Sequence, residues 1–143
     1  MEMSLENKEL IPIHVHKVMQ SKIYTLFILE GAGKKFSIYA EPSVGVEITN
    51  HLSENKILRP KTIDLVNLIL LGVEAEPIRG VIYDVNDHIY KAYLIIKKSF
   101  EEKESFVQID IRPSDCLTLS LIRKTPLFFN KEAFNKASFI EDQ

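Results

Sequence analysis

Arg112, Pro113, Ser114 and Asp115 stand together, with Asp110 two residues ahead of the arginine. A related set, Arg59-Pro60 followed by Thr62 and Asp64, occurs earlier in the chain. Carboxylates that converge can hold a divalent cation such as Mg2+ or Mn2+, and guanidinium groups can clamp a phosphate bidentately. These residue types therefore suit hydrolysis of a phosphodiester. Asp64, Asp110, Arg112 and Asp115 are the catalytic candidates, with Asp110 and Asp115 as metal ligands. Arg59, Thr62 and Ser114 are the candidate substrate contacts. The chemistry requires the two motifs to meet in space.

The same residues also have an architectural use. Ser114 and Thr62 are good N-caps, whose hydroxyls can accept a bond from an unpaired N–H of the first turn. Asp115 and Asp64 then fall where negative charge favours the positive end of a helix. Arg112 and Arg59 are left over. A guanidinium beside a helix N-terminus can hold an anion, and it can equally pair with an aspartate of its own chain.

Other groups have similar double readings. His14 and His16, two apart on a β-like run, share one face and could chelate a transition metal, although the neighbouring sequence offers no third ligand. The plainer reading is an exposed strand face. Cys116 is either a thiol activated by a helix N-terminus or an inert core residue. The pairs Lys34-Lys35, Lys97-Lys98 and Arg123-Lys124 could touch nucleic acid or serve only solubility. Tyr24, Tyr39, Tyr83, Tyr90 and Tyr93 could stack bases or pack within a sheet.

The elements that must position these groups follow from periodicity. Residues 10 to 20 alternate, with Ile11, Ile13 and Val15 on one side and Pro12, His14 and His16 on the other, as in a half-wet strand. "KIYTLFILE" and "FSIYA" flank a glycine-bearing turn, the pattern of a hairpin. Val44, Ile48 and Leu52 recur every four residues, which predicts a helix over 42 to 54. Thr62 to Leu71 is apolar on nearly all sides and predicts a helix in the middle of the core, stopped at Gly72. "PIRGVIYDV" and "HIYKAYLIIKK" read as strands turning at Asn86-Asp87, followed by a charged loop "SFEEKES". In "FVQIDI", Val107, Ile109 and Ile111 should face inward. A helix over 114 to 123, a short strand "PLFF" and a short terminal helix complete the chain. The order predicts one α+β domain over residues 10 to 140, behind a flexible N-terminus of residues 1 to 9. Its twisted mixed or antiparallel sheet should have about six to seven strands, with three main helices.

The 143 residues suffice for one substantial core, and the net charge of −2 excludes a molecule that attracts nucleic acid by overall charge. One cysteine excludes an internal disulfide and suits a reducing compartment. The polar start "MEMSLENKEL" has no signal-peptide core, and no apolar run approaches the ~20 residues of a membrane helix. A cytoplasmic protein with no membrane association is expected.

The segments "RPKTIDLVNLILLG", "VIYDVNDHIYKAYLII" and "VQIDIRPSDCLTLSLIRKTPLFFNKEAF" resemble, in order and spacing, the bifunctional nuclease (BFN) domain family over about residues 10 to 137. The resemblance implies a small α+β domain, usually homo-oligomeric and here expected to be a dimer. Plant members of the family are described as nucleases acting on DNA and RNA. The family's motifs fall on Arg59, Pro60, Thr62 and Asp64, and on Asp110, Arg112, Pro113, Ser114 and Asp115. Ile63 stands where a histidine is common, and Val44-Gly45 where a Glu-Ala pair is usual, with Glu41 nearby. Two functions are thus set against each other: a metal-assisted nuclease, and a non-catalytic oligomeric module that binds an anionic ligand or a protein partner.

Overall fold

The computed structural model describes residues 9–53 and 61–141. Arg59 and Pro60 of the earlier motif lie outside the described residues, as does nearly all of the expected N-terminal tail. The chain runs β1 (Leu10–Gln20), β2 (Thr25–Gly31), β3 (Lys34–Ala40), α1 (Pro42–Leu52) and α2 (Thr62–Gly72). It continues with β4 (Ala75–Asn86), β5 (Ile89–Phe100), β6 (Lys103–Ile111), α3 (Pro113–Arg123), β7 (Leu127–Asn130) and α4 (Lys131–Phe134). Seven strands form a mixed sheet in the order β3-β2-β1-β7-β4-β5-β6. Every neighbouring pair is antiparallel except β4 and β7. The fold is α+β.

Three hairpins use two-residue turns, at Ala32-Gly33, Asp87-His88 and Glu101-Glu102, and all six residues have positive φ. Left-handed pairs of this kind match the twist of the flanking strands. Two corrections follow. The β4–β5 turn falls one residue later than Asn86-Asp87. The charged segment after β5 is no loop, because β5 and β6 stay paired out to Phe100 and Lys103.

The sheet curls far enough for its two halves to share one core. Phe36 on edge strand β3 stacks on Tyr90 of β5 with centroids 5.9 Å apart, although four strands separate them in the sheet order. Phe27, Leu29, Phe36, Ile82 and Phe129 are almost fully buried in that core. Each such side chain contributes roughly 1.5–3 kcal/mol relative to an exposed one.

α3 lies deepest of the helices, with Cys116 through Ser120 all buried. Gly80 of β4 makes this approach possible, since a Cβ there would stand 2.5 Å from Cys116 Sγ. α1 is seated by Thr25, whose hydroxyl donates to Glu41 O at 2.8 Å and accepts from the Gly45 N–H at 2.9 Å.

α2 departs from expectation. It is a surface helix in which only Asp64 and Leu70 are buried, while Leu65, Leu68, Ile69 and Leu71 are each more than half exposed. The helix-bearing side of the sheet is already occupied by α3 and α1. α2 therefore adds little more than Leu70, with Ile63 beside it, to a small second cluster with Leu94, Ile96 and Leu119. Its last residue is Gly72, where the stop was expected, with Val73 as the C-cap and Glu74 taking the left-handed conformation. Ile109, expected inside, is 43% exposed because β6 is an edge strand.

Candidate functional site

Three helices begin around one groove. Glu41, Ser43 and Glu47 come from the mouth of α1, Lys61 and Thr62 from that of α2, and Arg112 and Asp115 from that of α3. The groove has a volume of about 830 Å3 and an apolar lining that includes Leu94, Ile96, Ile109 and Ile111. The positive ends of the helix dipoles, together with Lys61 and Arg112, make its rim suited to an anion.

The caps differ from those expected. Pro113 is the first helical residue of α3, where its fixed φ and missing N–H cost nothing, so the N-cap is Arg112 and not Ser114. At α2 the N-cap is Lys61 and not Thr62, which is already helical. Asp115 and Asp64 are thereby both third in their helices. Ser114 uses its carbonyl to accept from Thr118 Oγ1 at 2.7 Å. It borders a second, smaller cavity of about 330 Å3 with Tyr39 and His88, and Arg112 borders both cavities.

Arg112 and Asp115 form a two-bond fork: Nε donates to Oδ2 at 2.7 Å and Nη2 to Oδ1 at 3.2 Å. Of the two readings of the arginine, pairing with an aspartate of its own chain is the one observed here. The arginine side chain is 71% exposed and the aspartate 34%. The hydrogen bond and charge of Asp115 raise the arginine's pKa further, and Glu41 adds to this. An exposed pair of this type is worth about 0–1 kcal/mol, so an incoming anion can displace it.

Asp64 is held differently. Its Oδ2 accepts the Lys61 N–H at 2.8 Å, and its Oδ1 lies 2.6 Å from His51 Nε2. Both side chains are largely buried, at 10% and 17% exposure. The contact joins the last turn of α1 to the first turn of α2, where Asp64 also complements the dipole of its own helix. His51 was not identifiable from the motif, since it lies on another helix. Ile63 lines the groove where the family resemblance leads one to look for a histidine.

Asp110 sits elsewhere. Its neighbours Ile109 and Ile111 line the groove, so strand alternation turns Asp110 to the opposite face of the sheet. There it accepts a hydrogen bond from Tyr83 Oη at 2.9 Å, which pushes the phenol pKa up. Tyr83 in turn stacks on Tyr93. Asp110 and Asp115 thus face different sides of the sheet. Among the described residues, Asp64, Asp110 and Asp115 do not gather within ligand distance of a common point.

The remaining sequence candidates are mostly engaged locally. Arg123 Nη1 donates to Asn67 Oδ1 at 2.6 Å, tying α3 to α2. Lys97 lies 4.0 Å from both Glu76 and Glu104, and Lys34 stands over the Phe139 ring. Cys116 is 1% exposed, and burial pushes its thiol up to about 12, with Asp115 adding to the shift. It is a core residue. Among the described residues, no helix is long and apolar enough to cross a membrane.

No curated protein matches the chain. The family model for the bifunctional nuclease domain matches residues 26–142, which takes in the groove and every helix among the described residues. The chain belongs to the bifunctional nuclease domain family.

Proposed function

We propose that the groove where α1, α2 and α3 begin binds a phosphodiester of single-stranded RNA or DNA and promotes its hydrolysis with Mg2+ or Mn2+. The observation that carries this reading is the exposed Arg112–Asp115 fork on the groove wall. A phosphate that takes over the guanidinium releases the Asp115 carboxylate into the same space. Lys61 and Thr62 offer further contacts to the phosphate, and the apolar lining suits a base or sugar. Glu41, Glu47 and Asp115 are oxygen donors of the kind that Mg2+ and Mn2+ accept, and such ions need only one or two carboxylates when a substrate phosphate completes the shell. The ion would supply charge neutralisation at the phosphate and a more acidic water. Asp64 positions α2 in this reading, and Asp110 lies outside the site.

The test is cleavage of labelled single-stranded RNA and DNA with Mg2+, Mn2+ or EDTA. Wild-type protein should cleave only with metal. Asp115→Asn and Arg112→Ala should each lose at least about a hundredfold in rate, while Asp110→Asn keeps its rate. Cleavage that survives Asp115→Asn would remove the groove from the chemistry. No cleavage with either metal would leave an anion-binding module.

The face of α2 supports a second proposal, a homodimer formed through Leu65, Leu68, Ile69 and Leu71. All four side chains are more than half exposed on one short helix, and grouped exposed apolar side chains mark interaction surfaces. Light scattering should find a dimer that Leu68→Glu converts to a monomer; a monomeric wild type would sink the idea. The single buried thiol suits a reducing compartment such as the cytoplasm.

A further inference from the structure

A second set of chemically competent side chains lies on the other half of the sheet. His14 and His16 of β1 and Glu30 of β2 each offer one ligand atom, and these atoms lie within 4.8 Å of one another. The strand register brings them together. Glu30 stands directly opposite His14 in the ladder, so their side chains share a face. The pairing then shifts between Val15 and Lys17, which makes His16 the extra residue of a β-bulge. Bulges re-aim side chains, and here His16 Nδ1 comes to 3.9 Å from Glu30 Oε2. The ligand missing from the neighbourhood of the two histidines in sequence is supplied by the next strand.

We propose that His14, His16 and Glu30 bind a divalent transition-metal ion, with Zn2+ as the reference ion. Two imidazoles and one carboxylate are a donor set that zinc accepts while keeping a fourth position for water or another ligand. Tetrahedral zinc at roughly 2.0–2.1 Å places its ligand atoms about 3.3 Å apart. Closing from 4.8 Å requires side-chain rotation only, and both histidines are exposed with Glu30 half-buried. The backbone that sets their spacing is already fixed by pairing on β2. Lys35 Nζ lies 4.0 Å from the same Glu30 oxygen and competes with the ion for it. His14 and His16 precede residue 26, where the family match begins, while Glu30 lies within the matched segment, so the complete trio is not contained in that segment.

The test is titration of the full chain with Zn2+ against a chromophoric chelator, together with the visible spectrum of the Co2+ form. One Zn2+ per chain is expected, with a tetrahedral or five-coordinate Co2+ spectrum. His14→Ala, His16→Ala and Glu30→Gln should each weaken binding at least about tenfold. Lys35→Met should tighten it by about fivefold, by removing a competing charge. His88→Asn, remote from the trio, should change nothing. Circular dichroism establishes that each variant is folded. Absence of stoichiometric Zn2+ in the wild type, unchanged affinity in His16→Ala, or weaker binding in Lys35→Met would each overturn the proposal. None of these readouts depends on cleavage, so the outcome is independent of what the groove does.

Discussion

The mouths of α2 and α3 share a plan and point it in opposite directions. Each helix follows a basic N-cap, Lys61 or Arg112, and each has aspartate as its third residue. At α2 the carboxylate turns inward, bonded to the Lys61 N–H and set against His51. At α3 it turns outward to an exposed guanidinium. A buried carboxylate must keep its donors, because losing one leaves it desolvated and unpaired. An exposed fork costs little to open. The same residue at the same helical position is therefore a brace in one place and an exchangeable group in the other, and the neighbours make the difference.

Paired substitutions should show the largest contrast. Asp64→Ala removes a cap and strands His51, so urea denaturation should show a loss of about 2–3 kcal/mol. Asp115→Ala should cost no more than about 1 kcal/mol in the same assay. Equal costs would break the distinction between brace and exchangeable group. A second test addresses what fixes the α3 mouth from below. In Gly80→Ala the new Cβ would meet Cys116 Sγ at 2.5 Å and Leu127 Cδ2 at 3.0 Å. A loss of about 1–3 kcal/mol is expected, from overpacking. A neutral result would mean that α3 is loosely seated and its mouth is not rigid.

The smallest effect concerns Cys116, one residue beyond Asp115. With its thiol pushed up to about 12, almost none is thiolate at pH 8, and the side chain is also covered. A maleimide should label native protein slowly and urea-unfolded protein fully. Because burial is the larger cause, Asp115→Asn should leave the native labelling rate nearly unchanged. Rapid native labelling would show that α3 opens more readily than its packing implies.

Much of the fold was legible in the chain because it rests on local rules. The alternation of residues 10 to 20 predicts β1, and Pro42 and Pro113 mark helix starts by their fixed φ. The Arg-Pro-Ser-Asp step was visible as a helix mouth, although proline moved the cap from Ser114 to Arg112. Reading α2 as a core helix failed for a physical reason. A helix apolar on nearly all sides is compatible with a buried position, but whether space remains depends on α1 and α3.

Local sequence determined which residues carry chemistry and which segments are strands or helices, since periodicity, proline geometry and capping act over a few residues. Tertiary structure decided which of those residues meet. Strand alternation carries Asp110 away from Asp115. Packing brings His51 to Asp64 across 13 positions of chain and gathers three helix starts around one groove. The register of β1 on β2 gives His14 and His16 their third partner. Contacts between distant segments are set by how the sheet curls and how the helices fill its concave side, and no short stretch of sequence contains that information.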